Sequence, residues 1–331
     1  MATCTLRPQK NRWFAFLAAG FLMVHAILAV FSLRREAVTI DEYAHLPAGI
    51  SHWQKGAFFV YNVNPPLIKM LAALPVLPME PHMVYPEPFQ PRVGIRQEWS
   101  FGQQFMENNR ERYFKLFFVG RYPSVVLSVL GGWIVFLWSR KLYGPASGLV
   151  GVALWCFCPN VLAYAGQITP DIGAATMTVA SCFVYWLWLR SPTWRKAIAA
   201  GALLGIAQLT KFTLLLLYPV WGCLWIMWQF DVWRQYRESC PASTGTPILV
   251  SGRPFWFRAR FFQLSAIFLS SVFVLNLGYA CDGSGKPLGE FNFVSQALTA
   301  EHLHQTPLSA DEREALTARY SLVVCHTSNL G

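Results

Sequence analysis

Two adjacent carboxylates, Asp41 and Glu42, stand a short way beyond the first long apolar run. A positioned carboxylate can take a proton from a hydroxyl, and paired acids also suit a centre that develops positive charge. A third acid, Asp171, sits in the turn Gly166-Gln167-Ile168-Thr169-Pro170-Asp171, just before another apolar run. Two cations, Arg121 and Lys211, lie at the edges of apolar runs and could meet a phosphate. Ionisable groups at such depths cost roughly 2.5–3.5 kcal/mol on insertion scales, and they are usually paired or functional. His45, Asn64 and Lys69 follow in the segment that opens with the acid pair and join the candidates.

Each of these residues also has a plainer reading. Thr169, Pro170 and Asp171 make a good helix start, with a cap, a proline in the first turn and an acid at the positive end of the dipole. Thr39 or Asp41 could cap a helix in the same way. Arg121 and Lys211 could simply reach up to lipid head groups. Asp41 and His45 are spaced one helical turn apart, which invites a metal, but no third well-spaced ligand follows, so no metal is expected. Cys156 and Cys158 lack metal spacing and sit in an apolar run, where cysteine acts as a small hydrophobe.

The elements that must position these groups are membrane helices. Hydrophobic residues make up 54% of the 331 and charged residues only 13%, about half the share of a soluble domain. An all-α integral membrane fold with about seven transmembrane helices follows. Trp13–Leu33 is the first span, about 31 Å long at 1.5 Å per residue. The segment 34–115 is a long polar loop. It carries a stripe of Tyr43, Leu46, Ile50 and Trp53 and a second of Leu67, Met70, Leu71 and Leu74, each read as an amphipathic interfacial helix. Pro75–Gln97 reads as irregular and Glu98–Lys115 as helix-compatible. Further spans run over 116–139, 146–165, 172–189, 197–210, 212–230 and 261–280, within a block 116–280, and a polar tail 281–331 closes the chain.

The net charge of +10 does not point to nucleic acid, because no basic patch stands apart from the apolar runs. Arg and Lys gather instead in 1–12, 140–145, 190–196 and 231–260, all on one side of the expected topology. By the positive-inside rule that side, with the N-terminus, is cytoplasmic, so the acid pair, Asp171 and the tail face outward. Arg34-Arg35 argues mildly the other way.

The acid pair after the first span, followed by Y-N-V-N-P-P-L-I-K-M-L-A-A-L, resembles the protein O-mannosyltransferases and, more widely, the GT-C superfamily that includes the aminoarabinose transferases. The turn I-T-P-D, Arg121 in G-R-Y-P-S, and L-T-K-F-T resemble further elements of that group in the same order, over roughly residues 13–280. Asn64 stands where the group often has a histidine, so no role of that histidine is carried over. The resemblance implies a membrane glycosyltransferase that moves a mannose-like sugar from a polyprenyl phosphate to a hydroxyl on a protein or glycolipid, at the outer face, with inversion. It implies Asp41 as base, Glu42 as its helper, Arg121 and Lys211 at the donor phosphate, and Asp171 orienting the acceptor or holding a cation. No cofactor is required, and the cell membrane is the expected location if the chain is bacterial. The family usually continues through further spans, which implies a truncated or minimal member. The competing reading is a non-enzymatic carrier of lipid-linked substrates or an inactive truncated homologue.

Overall fold

The computed structural model describes residues 11–85, 97–239 and 253–287. The expectations placed on 1–10, on part of the Pro-rich stretch (86–96), on the middle of the basic loop (240–252) and on the tail from 288 lie outside the described residues. The chain divides into two units, Met1–Pro91 with Arg96–Ser284, and Arg92–Ile95 with Gly285–Gly331. Among the described residues all the helices belong to the first, and no strand occurs.

Five of the seven apolar runs form helices long and apolar enough to cross a bilayer. They are α1 (Asn11–Leu33), α5 (Tyr113–Tyr143), α8 (Pro170–Arg190), α10 (Leu217–Ser239, led in by a 3-10 turn, Phe212–Leu216) and α11 (Arg253–Gly278). A sixth run is broken. α6 (Pro145–Cys156) and α7 (Pro159–Ala165) meet at 60°, because Pro159 can open a helix but cannot continue one. The seventh, expected as a short span over 197–210, is α9 (Trp194–Gln208). Its 15 residues reach only about 22 Å, short of the hydrocarbon thickness. It is instead a strut pressed against α11. A Cβ at Gly201 would lie 2.4 Å from the Ile267 carbonyl, and one at Gly205 would lie 2.5 Å from that of Ser271. Small residues are what let two such backbones approach.

α1 shows Trp13, Phe16, Met23 and Ile27 outward and packs Ala18 and Leu22 against Phe136, Val152 and Cys156. His25 pins it further, with Nδ1 2.9 Å from the Cys156 carbonyl and Nε2 2.8 Å from Ser128 Oγ.

The long loop holds α2 (Ile40–Lys55), α3 (Leu67–Ala73) and α4 (Gln97–Asn108). These helices differ from the interfacial pair that the stripes suggested. α2 is buried on nearly every side from Ala44 to His52, because α3, α4 and α5 all cover it. Leu46 and Ile50 share one core with Ala72, Phe105, Leu116 and Ile168. On α3 the buried face is Ile68, Lys69, Ala72 and Ala73 rather than the Leu67–Leu74 stripe. The crossing explains this shift. Gly49 brings α2 so close to α3 that a Cβ there would sit 2.0 Å from the Lys69 carbonyl. On the other side, Pro47 has no N–H to donate to the Tyr43 carbonyl. α4 uses that gap: a Cβ at Gly102 would stand 2.2 Å from the Tyr43 oxygen.

Candidate functional site

The site forms where the start of α2, the third turn of α5, the start of α8 and the end of α9 come together. Glu42 and Arg121 are its buried centre. The Arg121 guanidinium grips the Glu42 carboxylate with two N–H groups, at 2.8 and 2.7 Å. Its remaining N–H groups go to the carbonyls of Leu33 (2.9 Å), Glu36 (3.1 Å) and Ala37 (2.8 Å). A guanidinium has five such donors, so none is left over. Glu42 is equally committed. It accepts from the Ile168 N–H at 3.1 Å and closes the capping box by accepting from the Thr39 N–H at 2.8 Å. One ion pair therefore joins the end of α1, the linker to α2, the first turn of α2, α5 and the turn before α8. Both residues were expected to act on the substrate, Glu42 as helper of the base and Arg121 at the donor phosphate. In this arrangement all five Arg121 N–H groups are engaged and Glu42 is fully buried.

Asp41, one position earlier and so about 100° round the helix, points the other way. It is exposed, and its carboxylate has no hydrogen-bond or ion-pair partner among the described residues. Asp171 is held differently again. Thr169 with extended backbone and Pro170 at the first position start α8, and the Asp171 carboxylate accepts from Lys211 Nζ at 2.8 Å. This pair is half-exposed, at 33% for Lys211 and 35% for Asp171. A backbone hydrogen bond from the Leu67 N–H to the Leu209 carbonyl, 3.1 Å, fastens the end of α9 to the start of α3.

Behind these groups lies a buried polar layer. Lys69 is sealed from water and donates to the carbonyls of Tyr61 and, at 2.8 Å, Asn64. Its ammonium sits 4.8 Å from the centre of the Tyr61 ring. Burial pulls its pKa down to about 7, with the Glu98 charge opposing the shift. The Asn64 amide donates to the Tyr61 hydroxyl at 3.1 Å. His45 Nδ1 is 2.7 Å from the Asp41 carbonyl, and the imidazole packs edge-on to Tyr61. Burial pushes its pKa down to about 4, so it is neutral at pH 7. A carbonyl can only accept, so Nδ1 carries the hydrogen and Nε2 presents a lone pair. His52 repeats the pattern against the Ala57 carbonyl at 2.7 Å, with burial taking its pKa to about 3. Among the described residues no three His, Cys, Asp or Glu side chains form a group that could hold a metal ion.

All eight expected residues thus fall at one end of the bundle, in two roles. Asp41, Asp171 and Lys211 reach solvent, and Glu42, Arg121, His45 and Lys69 build the wall behind them with half-buried Asn64. Residues that were not among the expected site residues complete the wall: Tyr61 through its carbonyl and ring, Ile168 through its N–H, and Thr169 and Gln208, which are buried. Tyr61, Ile168 and Thr169 lie in stretches already noted, and Gln208 is an amide inside a Gly- and Ala-rich run.

An all-helical fold over the described residues, with several helices long and apolar enough to span a bilayer, is that of a multi-pass membrane protein. Residues 114–274 match the family model described as dolichyl-phosphate-mannose-protein mannosyltransferase. That match, over just under half of the chain, supports a membrane glycosyltransferase of the GT-C type. Arg121, Asp171 and Lys211 lie inside the matched stretch, and Asp41, Glu42, His45, Asn64 and Lys69 precede it. Searches of curated proteins and of solved structures find no match.

Proposed function

We propose that the protein transfers a mannose-like sugar from a polyprenyl phosphate to a hydroxyl of a protein or glycolipid acceptor, at the outer face of the membrane, with Asp41 as general base. The acceptor oxygen attacks the anomeric carbon from the side opposite the phosphate. Its proton passes to Asp41, the bond between anomeric carbon and phosphate oxygen breaks, and polyprenyl phosphate leaves with the electron pair. A single displacement inverts the anomeric centre. Lys211, steadied by Asp171, meets the phosphate as its charge grows. Glu42 and Arg121 act by position, fixing Asp41 against the start of α8. The two basic segments named at the far ends of α5 and α8, 140–145 and 190–196, support an outward-facing site.

The observation that carries this reading is the division of labour in the acid pair. Glu42 is consumed by Arg121, while its neighbour Asp41 is exposed and uncommitted, and Glu42 itself accepts from the Ile168 N–H three residues before Asp171. General-base catalysis contributes about 10²–10⁴-fold. Asp41→Asn membranes, assayed with polyprenyl-phosphate mannose and a hydroxyl acceptor, are expected to lose transfer by that factor while donor binding persists. Transfer at the wild-type rate would remove Asp41 from the role.

A further inference from the structure

Buried polar side chains normally find partners, and one that does not costs about 1–3 kcal/mol. Three side chains around the site break this rule together. His45 Nε2, Thr169 Oγ1 and both the Oε1 and Nε2 atoms of Gln208 are sealed from solvent with no hydrogen-bond partner. The residues are 1%, 3% and 1% exposed, respectively. They come from three elements that converge. Thr169 immediately precedes Pro170 and Asp171 at the start of α8, and Gln208 ends α9 just before Lys211. The Asp171–Lys211 contact at 2.8 Å ties those two ends together. Glu42, on the same first turns of α2 as His45, accepts from Ile168, the neighbour of Thr169. The charge of Asp171 is felt at His45.

The chemistry of the four spare atoms is specific. His45 Nε2 accepts, the Thr169 hydroxyl donates and accepts, and the Gln208 amide offers one group of each kind. All are neutral. Of the nearby carboxylates, Glu42 and Asp171 are already paired with cations, and Asp41 is exposed to solvent. Such a set complements adjacent hydroxyls of an uncharged sugar, each of which also donates and accepts.

We propose that His45, Thr169 and Gln208 form the subsite that reads the hydroxyls of a neutral hexose on the donor lipid, entered by parting the half-exposed Asp171–Lys211 pair. The proposal rests on the reading of the chain as a polyprenyl-phosphate sugar transferase, and it adds the residues that select the sugar. The penalty of the unpartnered atoms is relieved when the sugar enters, so that part of the binding free energy appears only with the correct head group.

The test is donor binding rather than transfer, so that it stands apart from catalysis. Wild-type protein in nanodiscs is titrated with polyprenyl-phosphate mannose and with bare polyprenyl phosphate. The ratio of the two affinities is the sugar's contribution. Gln208→Leu and Thr169→Val are expected to lower that ratio by roughly 2- to 10-fold each, one hydrogen bond's worth, and to leave the affinity for bare polyprenyl phosphate unchanged. Their thermal stability is expected to hold or rise, because an unsatisfied buried group has been removed. A ratio that stays at the wild-type value in both variants overturns the subsite, as does a wild-type protein that prefers the bare lipid. Loss of stability with an unchanged ratio marks Gln208 and Thr169 as structural and also overturns it. A preserved sugar preference in a protein that transfers nothing rejects the catalytic reading and leaves the subsite standing.

Discussion

Arg121 and Glu42 show how two residues of obvious chemical interest can be committed to architecture. Taking two charges into a buried site costs several kcal/mol per ion, and only close geometry with every remaining donor and acceptor satisfied returns it. Here both conditions hold: Arg121 uses all five N–H groups, and Glu42 gathers two backbone N–H groups besides. Removing one partner therefore leaves the other charged and buried. Arg121→Leu is expected to destabilise the protein by about 3–5 kcal/mol, and Glu42→Met/Arg121→Leu to recover a large part of that loss. Thermal unfolding in detergent measures both, and a double variant no more stable than the single one would show that the pair is not coupled. The sequence displayed both charges but could not display this closure. The carbonyls of Leu33, Glu36 and Ala37 carry no side-chain signature, so Arg121 read as free to meet a phosphate. Asp41 and Asp171 were legible because their positions, at a helix start after an apolar run, are local features.

At the scale of elements, glycines decide where helices cross, and the crossings decide what is buried. Lys69 is sealed from water because Gly49 lets α2 sit directly on the backbone of α3. A methyl group there would overlap the Lys69 carbonyl, and the backbone of a packed helix cannot retreat as a flexible side chain can. Gly49→Ala is expected to push α3 outward and cost about 1–3 kcal/mol or more. It should also let water reach Lys69, so that amide exchange of Leu67–Ala73 speeds up at least tenfold. Unchanged exchange in that segment would mean the crossing tolerates the added carbon. The apolar stripes foretold the helices of the long loop but not their depth. A stripe reports one apolar face, whereas α2 is enclosed by three partners that meet its small and polar residues as well. The segment 197–210 was expected as a short span, and α9 is as short as expected. What its membrane-like composition did not reveal is that 15 residues are too few to cross, so that the helix packs on α11 instead.

On the scale of the whole first unit, the site lies at the ends where α1 and α9 finish and α5 and α8 begin. The chain returns there once more at Tyr279, just past α11, whose ring lies 5.5 Å from Phe58 in the loop after α2. The opposite ends of α5 and α8 carry Arg140, Lys141 and Arg190. If translocation obeyed the positive-inside rule, these basic ends stayed in the cytoplasm, and Asp41 with the Asp171–Lys211 pair faces out. Two exposed residues mark the two ends. His82 is exposed in the strap after α3, on the site side, and Tyr143, 79% exposed, closes α5 at the basic end. In a cysteine-free background, His82→Cys is expected to react with a membrane-impermeant maleimide in intact cells, and Tyr143→Cys only after the cells are opened. The reverse pattern would turn the site to the cytoplasm and withdraw the outer-face acceptor. Arg34-Arg35, just past α1 on the site side, is the feature in tension with this orientation. Both guanidinium groups lie over aromatic rings, Arg34 over Phe118 at 5.6 Å and Arg35 over Phe31 at 4.0 Å. A cation held on a ring stays at the lipid interface, and Arg34→Ser/Arg35→Ser is expected to leave the labelling pattern unchanged.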